Sequence, residues 1–361
     1  MDFGLSSEQQ MLRATVDQFL QKNCSMAQIR EVANAGLNTR DALTTGFHGL
    51  GLSGIMVPEA FDGLGLSLLD AAVVSEALGT AVAPIPFAAR AVLAPIAFGL
   101  AGSPEQKNHW LPRVARGEAR FSVAITELVN RRDGAGIHCF NGRLQGSALF
   151  ALDSEGANAY IVADQEGRLH IVADDAAGFE KVNLKTIDVT RSVSELRFDS
   201  VVAEPFGADD GSAGRWLIAA GRVLLAADSV GAADAMIAKA VAYAGERKQF
   251  DRVIGSFQAV KHMCAEMAAR QEPCRSLVWY AAHSFDTIPA EAQLMACFAK
   301  SHVGEVGRFV ARTATEVHGG MGFTDLLGLH YWFKRIGFDR QILGGPEIVR
   351  SEAGAMQGWN A

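Results

Sequence analysis

GERKQFDRVIGSFQAVKHM, residues Gly245–Met263, breaks a long helical pattern with two each of arginine, lysine, glutamine and phenylalanine. Upstream, Arg215–Gly245 is a weakly charged run rich in Ala and Gly. A helix that apolar on all sides is expected to be buried, here against other subunits. Downstream, Phe257, Val260, Met263, Cys264 and Met267 recur at helical spacing from a start near Ser256. The segment therefore lies where one long helix ends, backbone is exposed and another begins. Arg247 offers a planar fork for a phosphate. Gln249 and Gln258 offer amides and Phe250 an aromatic face. On composition alone the same residues also describe a charged helix end with a core phenylalanine.

A third helical pattern, from about Ala290 to Thr315, ends in a second polar segment, TEVHGGMGFT from Thr315. Gly319, Gly320 and Gly322 allow a ligand close to the backbone or tolerate positive φ. Glu316, His318 and Phe323 flank them. A glycine-rich turn with core aromatics fits this segment equally when it is taken alone.

Before this region the texture is different. From about Ala119 to Phe206, short apolar runs alternate with Gly, Asn and Asp, and Ala159–Asp174 reads as a hairpin around Gln165-Glu166-Gly167. Earlier still, Ser7-Glu8 opens a helix with Met11, Val16, Phe19 and Leu20 on one face. Another helix starts near Ser67, with Asp70 at its positive end. The expectation is an α+β chain of three parts: an N-terminal α-helical domain (1–117), a middle β domain (118–212) and a C-terminal four-helix-bundle domain (213–361).

The 361 residues are 49% hydrophobic and 20% charged, a folded composition. A net charge of −7 argues against nucleic acid or an anionic membrane as partner. Five cysteines without a CxxC pair fit reduced thiols in a cytoplasm. No basic segment followed by an apolar core opens the chain, and Ala71–Gly102 is broken by charges and prolines, so a soluble protein is expected. There is no HExxH, no GxSxG and no P-loop, and no metal site is expected. GLGLSL at Gly63 is a turn in a helical context.

In this order and separation, the two polar segments resemble the acyl-CoA dehydrogenase family of flavoproteins. The likeness extends to MDFGLSSEQQMLRATVDQFL at the start, GIMVPEAFDGLGLS from Gly54 and LPRVARGEARFSVAITE from Leu111. The resemblance implies an acyl-CoA dehydrogenase-like fold, FAD at a subunit interface, and α,β-desaturation of an acyl-CoA thioester. Electron-transferring flavoprotein is the acceptor it implies.

The cofactor residues it implies are Arg247, Gln249, Phe250, Gln258, Glu316, His318, Gly319 and Gly320 from a neighbouring subunit, with Thr126 on the chain's own side. Asp251 and Glu316 stand where the family usually has glycine and glutamine. On the own side, LVNRRDGAG replaces the usual Ala-Gly-Ser-Asp loop, and SALFALDSEG, around Phe150 and Leu152, replaces the Trp-Ile-Thr strand.

The reaction needs a carboxylate near the substrate's α-carbon. The family places it in a Tyr-Glu-Gly segment, which falls here on Leu343-Gly344-Gly345, or on the first long helix before an arginine, here Gly221 before Arg222. Neither position has a side chain, so the catalytic base is unknown. Glu347 and Asp228 are substitutes, against readings as a helix-start carboxylate and an arginine-paired core residue. The favoured reading is a subunit that completes the cofactor site of a homologous, base-bearing dehydrogenase chain in a heterotetramer. Gly344 and Gly345 then mark a relaxed site, or one where a large acyl group passes. The alternatives are a self-sufficient homo-oligomeric monooxygenase or oxidase on the same fold, a homo-oligomeric dehydrogenase using Glu347, and a non-catalytic homologue.

Overall fold

The computed structural model describes residues 4–35, 41–129 and 133–359. Six α-helices open it: α1 (Ser7–Asn23), α2 (Met26–Ala35), α3 (Asp41–Gly49), α4 (Leu68–Thr80), α5 (Ala94–Ala101) and α6 (Pro104–Ala115). Three begin on reciprocal caps: Ser6 with Gln9, Ser67 with Asp70, and Ser103 with Gln106. A π-helical turn, Ala88–Leu93, leads directly into α5.

The middle of the chain is one sheet of eight strands. These are β1 (Phe121–Ala124), β2 (Gly136–Phe140), β3 (Arg143–Leu152), β4 (Ala159–Ala163), β5 (Leu169–Ala173), β6 (Phe179–Leu184), β7 (Val193–Val202) and β8 (Glu204–Pro205). Their order is β6-β7-β3-β1-β4-β5-β8, with β2 paired to β3. Among the described residues only β1 and β4 run parallel; the expected hairpin forms as β4–β5, with Tyr160 opposite Val172. The sheet buries its own core around Leu144, Tyr160, Leu196 and Phe198.

The last part is helical again: α7 (Ala213–Glu246), a two-residue ribbon β9 (Lys248–Gln249) and β10 (Arg252–Val253), α8 (Gln258–Thr287), α9 (Pro289–His318), α10 (Leu329–Gln341) and α11 (Pro346–Met356). By length and composition α7 is apolar enough to cross a bilayer, yet 94% of its most apolar 18-residue stretch is buried inside the chain. Its burial comes from α4, α8, α9 and α10 of the same chain, and needs no second subunit. The approach to α4 is close because glycines permit it. A Cβ on Gly231 would stand 1.9 Å from the Glu76 carbonyl, and one on Gly79 the same distance from that of Asp228.

Candidate functional site

The two polar segments meet at one end of the helical bundle. The hairpin leaves α7 directly and the glycine turn leaves α9 directly, and the last turns of these helices are joined by Tyr243 stacked on His318, ring centroids 4.7 Å apart. His318 is buried, and its Nδ1 donates to the Ala314 carbonyl at 2.7 Å, so its ring fixes the turn from beneath. Phe250 and Asp251 form the hairpin tip with φ of 53° and 61°, the left-handed pair of a tight two-residue turn. That geometry pushes Phe250 outward, leaving it 87% exposed rather than in a core. Arg247, Gln249 and Glu316 are exposed beside it. Arg252 lies over Phe257, 4.0 Å from the ring centre.

This end can receive an anion and an aromatic ring. Gly319 has φ +58°, and a Cβ on Gly319 or Gly320 would meet nothing within 4 Å. Gln258 is the first residue of α8, whose N-terminus no side chain caps. Backbone N–H groups there point outward, as phosphate sites require. Phe323 and Leu326 add apolar surface at 81% and 74% exposure.

Thr126 is elsewhere. It follows β1, and its hydroxyl reaches only the Phe150 carbonyl, at 3.4 Å. Val129, three residues on, packs beside Gly344, and Leu128 packs against Gly214 at the start of α7. Asn130–Arg132, within the loop that departs from the family pattern, lie outside the described residues. From Gly221 to Arg247 along α7 is 26 residues, about 39 Å at 1.5 Å per residue. No single small-molecule pocket in one chain is lined from both ends of such a span.

Both positions where a carboxylate base was sought are closed. A Cβ on Gly221 would fall 2.4 Å from Cδ1 of Leu343, a buried leucine with φ 58° that fills the glycine's space. Gly344 has φ +103°, and a Cβ there would stand 3.0 Å from both Val129 and Val349, and 3.3 Å from Arg222 Nη2. The glycines therefore mark a packed region, which corrects the expectation of a relaxed passage for a large acyl group. Arg222 is held locally through two of its nitrogens: Nε donates to the Leu343 carbonyl (2.9 Å) and Nη1 to Glu352 (2.6 Å), while Nη2, the nitrogen nearest Gly344, is buried without a hydrogen-bond partner among the described residues.

Glu347 and Asp228 stand as a helix-start carboxylate and an arginine-paired core residue. Glu347 is exposed at the start of α11, 3.3 Å from Arg340, and that helix start together with the arginine holds its carboxyl below the usual range. Asp228 is buried between Arg191 and Arg335.

Sequence reasoning did not select Arg335. It has no exposed side-chain surface; Nε donates to Asp188 at 2.6 Å, Nη1 to Asp228 at 3.2 Å, and Nη2 to the Ala83 carbonyl and Thr190. Burial would raise the Asp188 carboxyl, but the adjacent Arg335 guanidinium holds it below the ordinary range. Burial, and then Arg335, push Arg191 down to about 10. This cluster stands where the N-terminal helices, the sheet and α7 converge. The cavity beside it, between Ser75, Ala88, Leu152 and Leu224, holds only about 20 Å³. Among the described residues, no group of three or more His, Cys, Asp or Glu side chains converges in a metal-binding arrangement.

Comparison with known proteins agrees with this architecture. The family model for the acyl-CoA dehydrogenase N-terminal domain matches residues 6–118, and that for the C-terminal domain matches residues 213–356. The chain belongs to the acyl-CoA dehydrogenase family. It is 29% identical to acyl-CoA dehydrogenase IpdE2 of Mycolicibacterium smegmatis, over 97% of this chain and 99% of that protein.

Among solved structures, it resembles a variant of the Tcur3481-Tcur3483 steroid ACAD at 28% identity and a TM-score of 0.89, over 97% of this chain and 98% of the other. It also resembles the ChsE4-ChsE5 complex from Mycobacterium tuberculosis at 25% identity and a TM-score of 0.90, over the whole of both chains. The acyl-CoA dehydrogenase family consists of FAD-dependent oxidoreductases acting on CH–CH bonds.

Proposed function

We propose that this chain is the base-lacking subunit of a heteromeric acyl-CoA dehydrogenase, and that it completes the FAD site of a related, base-bearing subunit. One observation carries the reading: both positions for a proton acceptor are side-chain-free and already filled by Leu343, Val129 and Val349. Glycine takes no proton, and even a Cβ at either position would crowd those side chains. The open end of α7 supports the other half of the reading, because it presents ligand-type groups with nothing in the same chain opposite them.

The residues of this end fit the cofactor. Arg247 and the uncapped start of α8 would hold pyrophosphate charge, Gly319 and Gly320 would let it approach the backbone, and Phe250 would lie against a ring. When bound, the flavin supplies the hydride acceptor. The partner's carboxylate would remove the α-proton, and this chain's part is to bind and orient. Two relatives of this fold carry names that point to paired chains or steroid substrates, namely ChsE4-ChsE5 and the Tcur3481-Tcur3483 steroid ACAD. Those names support a bulky acyl-CoA as the substrate; an electron-transferring flavoprotein as acceptor follows from the family resemblance, and the cytoplasm from the free cysteines.

The test is co-expression with a dehydrogenase-like chain that carries the glutamate, comparing flavin content and acyl-CoA turnover with each chain alone. Flavin and turnover are expected only from the pair. If this chain alone is yellow and desaturates an acyl-CoA at the pair's rate, the reading fails.

A further inference from the structure

The two polar segments at the open end of α7 are each fixed by their own backbone. On the hairpin side, Arg247 is pinned from both directions. Its N–H donates to the Tyr243 carbonyl at 2.8 Å, the bond that ends α7, and its carbonyl accepts the Ile254 N–H at 2.7 Å, which closes the ribbon. Arg247 therefore leaves the helix in an extended conformation, with φ −67° and ψ 123°. On the glycine side, the turn folds back tightly on α9. The Gly319 N–H donates to the Glu316 carbonyl, and a Cβ on Gly322 would stand 2.8 Å from the Thr315 carbonyl and 3.1 Å from the His318 Cβ.

Among the described residues, no hydrogen bond or ion pair runs from the hairpin, residues 247–253, to the glycine turn, residues 319–323. Tyr243 bridges them instead. Its carbonyl holds Arg247, and its ring lies on His318, with centroids 4.7 Å apart and planes 29° from parallel. The His318 ring is not free to turn away, because it is buried and its Nδ1 donates to the Ala314 carbonyl at 2.7 Å. Of the last four residues of α7, Gly245 and Glu246 are exposed and Ala244 carries only a methyl group. Tyr243 is thus the last long side chain of that helix turned inward, and it is half-buried. A helix end without such a contact frays readily.

We propose, resting on the cofactor reading above, that Tyr243 is a positioning residue of the flavin site. Through its carbonyl and its ring it sets the separation between Arg247 and the Gly319-Gly320 turn, so that one pyrophosphate meets both. A pyrophosphate is short, and a guanidinium and a bare backbone turn bind it together only when they already stand at the right separation. Offset-stacked rings at this distance attract one another and hold a defined geometry. Tyr243 acts through Arg247 and His318 and touches no part of the cofactor itself.

The co-expressed pair is loaded with FAD, and release of the flavin on dilution is followed by its fluorescence. Tyr243→Leu is expected to weaken FAD retention about fivefold, and Tyr243→Phe, which keeps the ring, to stay within about twofold of the parent. In an Arg247→Ala background, Tyr243→Leu should add less than about twofold, because alignment brings nothing once one of the aligned groups is gone. A merely structural contribution would persist in that background. Should Tyr243→Leu not fold, His318→Leu breaks the same stack from the other side and is put through the same comparison. The proposal is overturned by FAD retention that loss of the stack leaves intact, by a loss that Tyr243→Phe shares, or by the full loss recurring without Arg247. A parent pair that holds no FAD overturns the cofactor reading itself, and this proposal with it.

Discussion

The two ends of α7 use the same residue type to opposite effect. At its C-terminal end, Gly319 and Gly320 face open space, and the side chains around them point outward. Toward its N-terminal end, Gly221 and Gly344 are just as bare, yet Leu343, Val129 and Val349 have taken the room. A glycine in a sequence is thus no statement about space. Whether it opens a site or closes one depends on which neighbours reach it. In this chain the end proposed to meet the cofactor stays open, and the two glycine positions proposed to lack the base are packed as core.

The hardest blow to that contrast is Arg335→Met. Methionine keeps the volume but strips Asp188 of its Arg335 partner and leaves Asp228 with Arg191 alone, both carboxylates being buried. Breaking a buried pair from one side costs about 3–5 kcal/mol. Urea unfolding is expected to show a loss of that size. A loss under about 1 kcal/mol would mean that the three-layer junction is not the stabilised core described above.

Next comes Gly221→Ala. One methyl group placed 2.4 Å from the Leu343 side chain overpacks the closed region, at about 1–3 kcal/mol. Adding Leu343→Ala should recover most of that loss by vacating the space. Without recovery, something other than Leu343 fills the position. The open end responds differently. Arg247→Ala should leave unfolding unchanged, because Arg247 is exposed, while weakening flavin retention by the co-expressed pair about tenfold. Flavin retention equal to the parent pair would remove Arg247 from the cofactor site.

What was legible in the sequence follows the same divide. The open end is written in short contiguous segments whose signals are local: a charged break after a helix, two adjacent glycines after another. The caps at Ser67-Asp70 and the β4–β5 hairpin are local too, and they fall where the pattern puts them. The closed region depends on contacts between distant residues. Asp188 and Arg335 are 147 positions apart and Asp228 and Arg335 are 107 apart; Asp228 reads as an arginine-paired core residue, but nothing local tells which arginine it meets or that Asp188 joins them. Leu343 was invisible for another reason: its left-handed backbone is one that sequence reasoning assigns to its glycine neighbours. Phe250 reads as core by type and is expelled by a turn whose tip carries no glycine. The apolar length of α7 correctly indicated burial, but the surrounding helices of the same chain supply it.

The smallest expected effect is also the finest probe of the contrast. Asp251 and Leu343 share nearly the same strained backbone, with φ of 61° and 58°. For a side-chain-bearing residue that conformation costs about 1–2 kcal/mol, less for aspartate. Asp251→Gly relieves the strain but adds unfolded-state freedom worth about 0.5–1 kcal/mol. With no packing at an exposed hairpin tip to lose, the two terms nearly cancel, and stability should change by no more than about 0.5 kcal/mol. Flavin retention by the pair should also hold, since a glycine keeps the turn that aims Phe250 and Arg247 outward. A marked drop in flavin at unchanged stability would show that the Asp251 carboxylate itself takes part in the cofactor site. The open end would then owe its selectivity to a residue outside the family pattern.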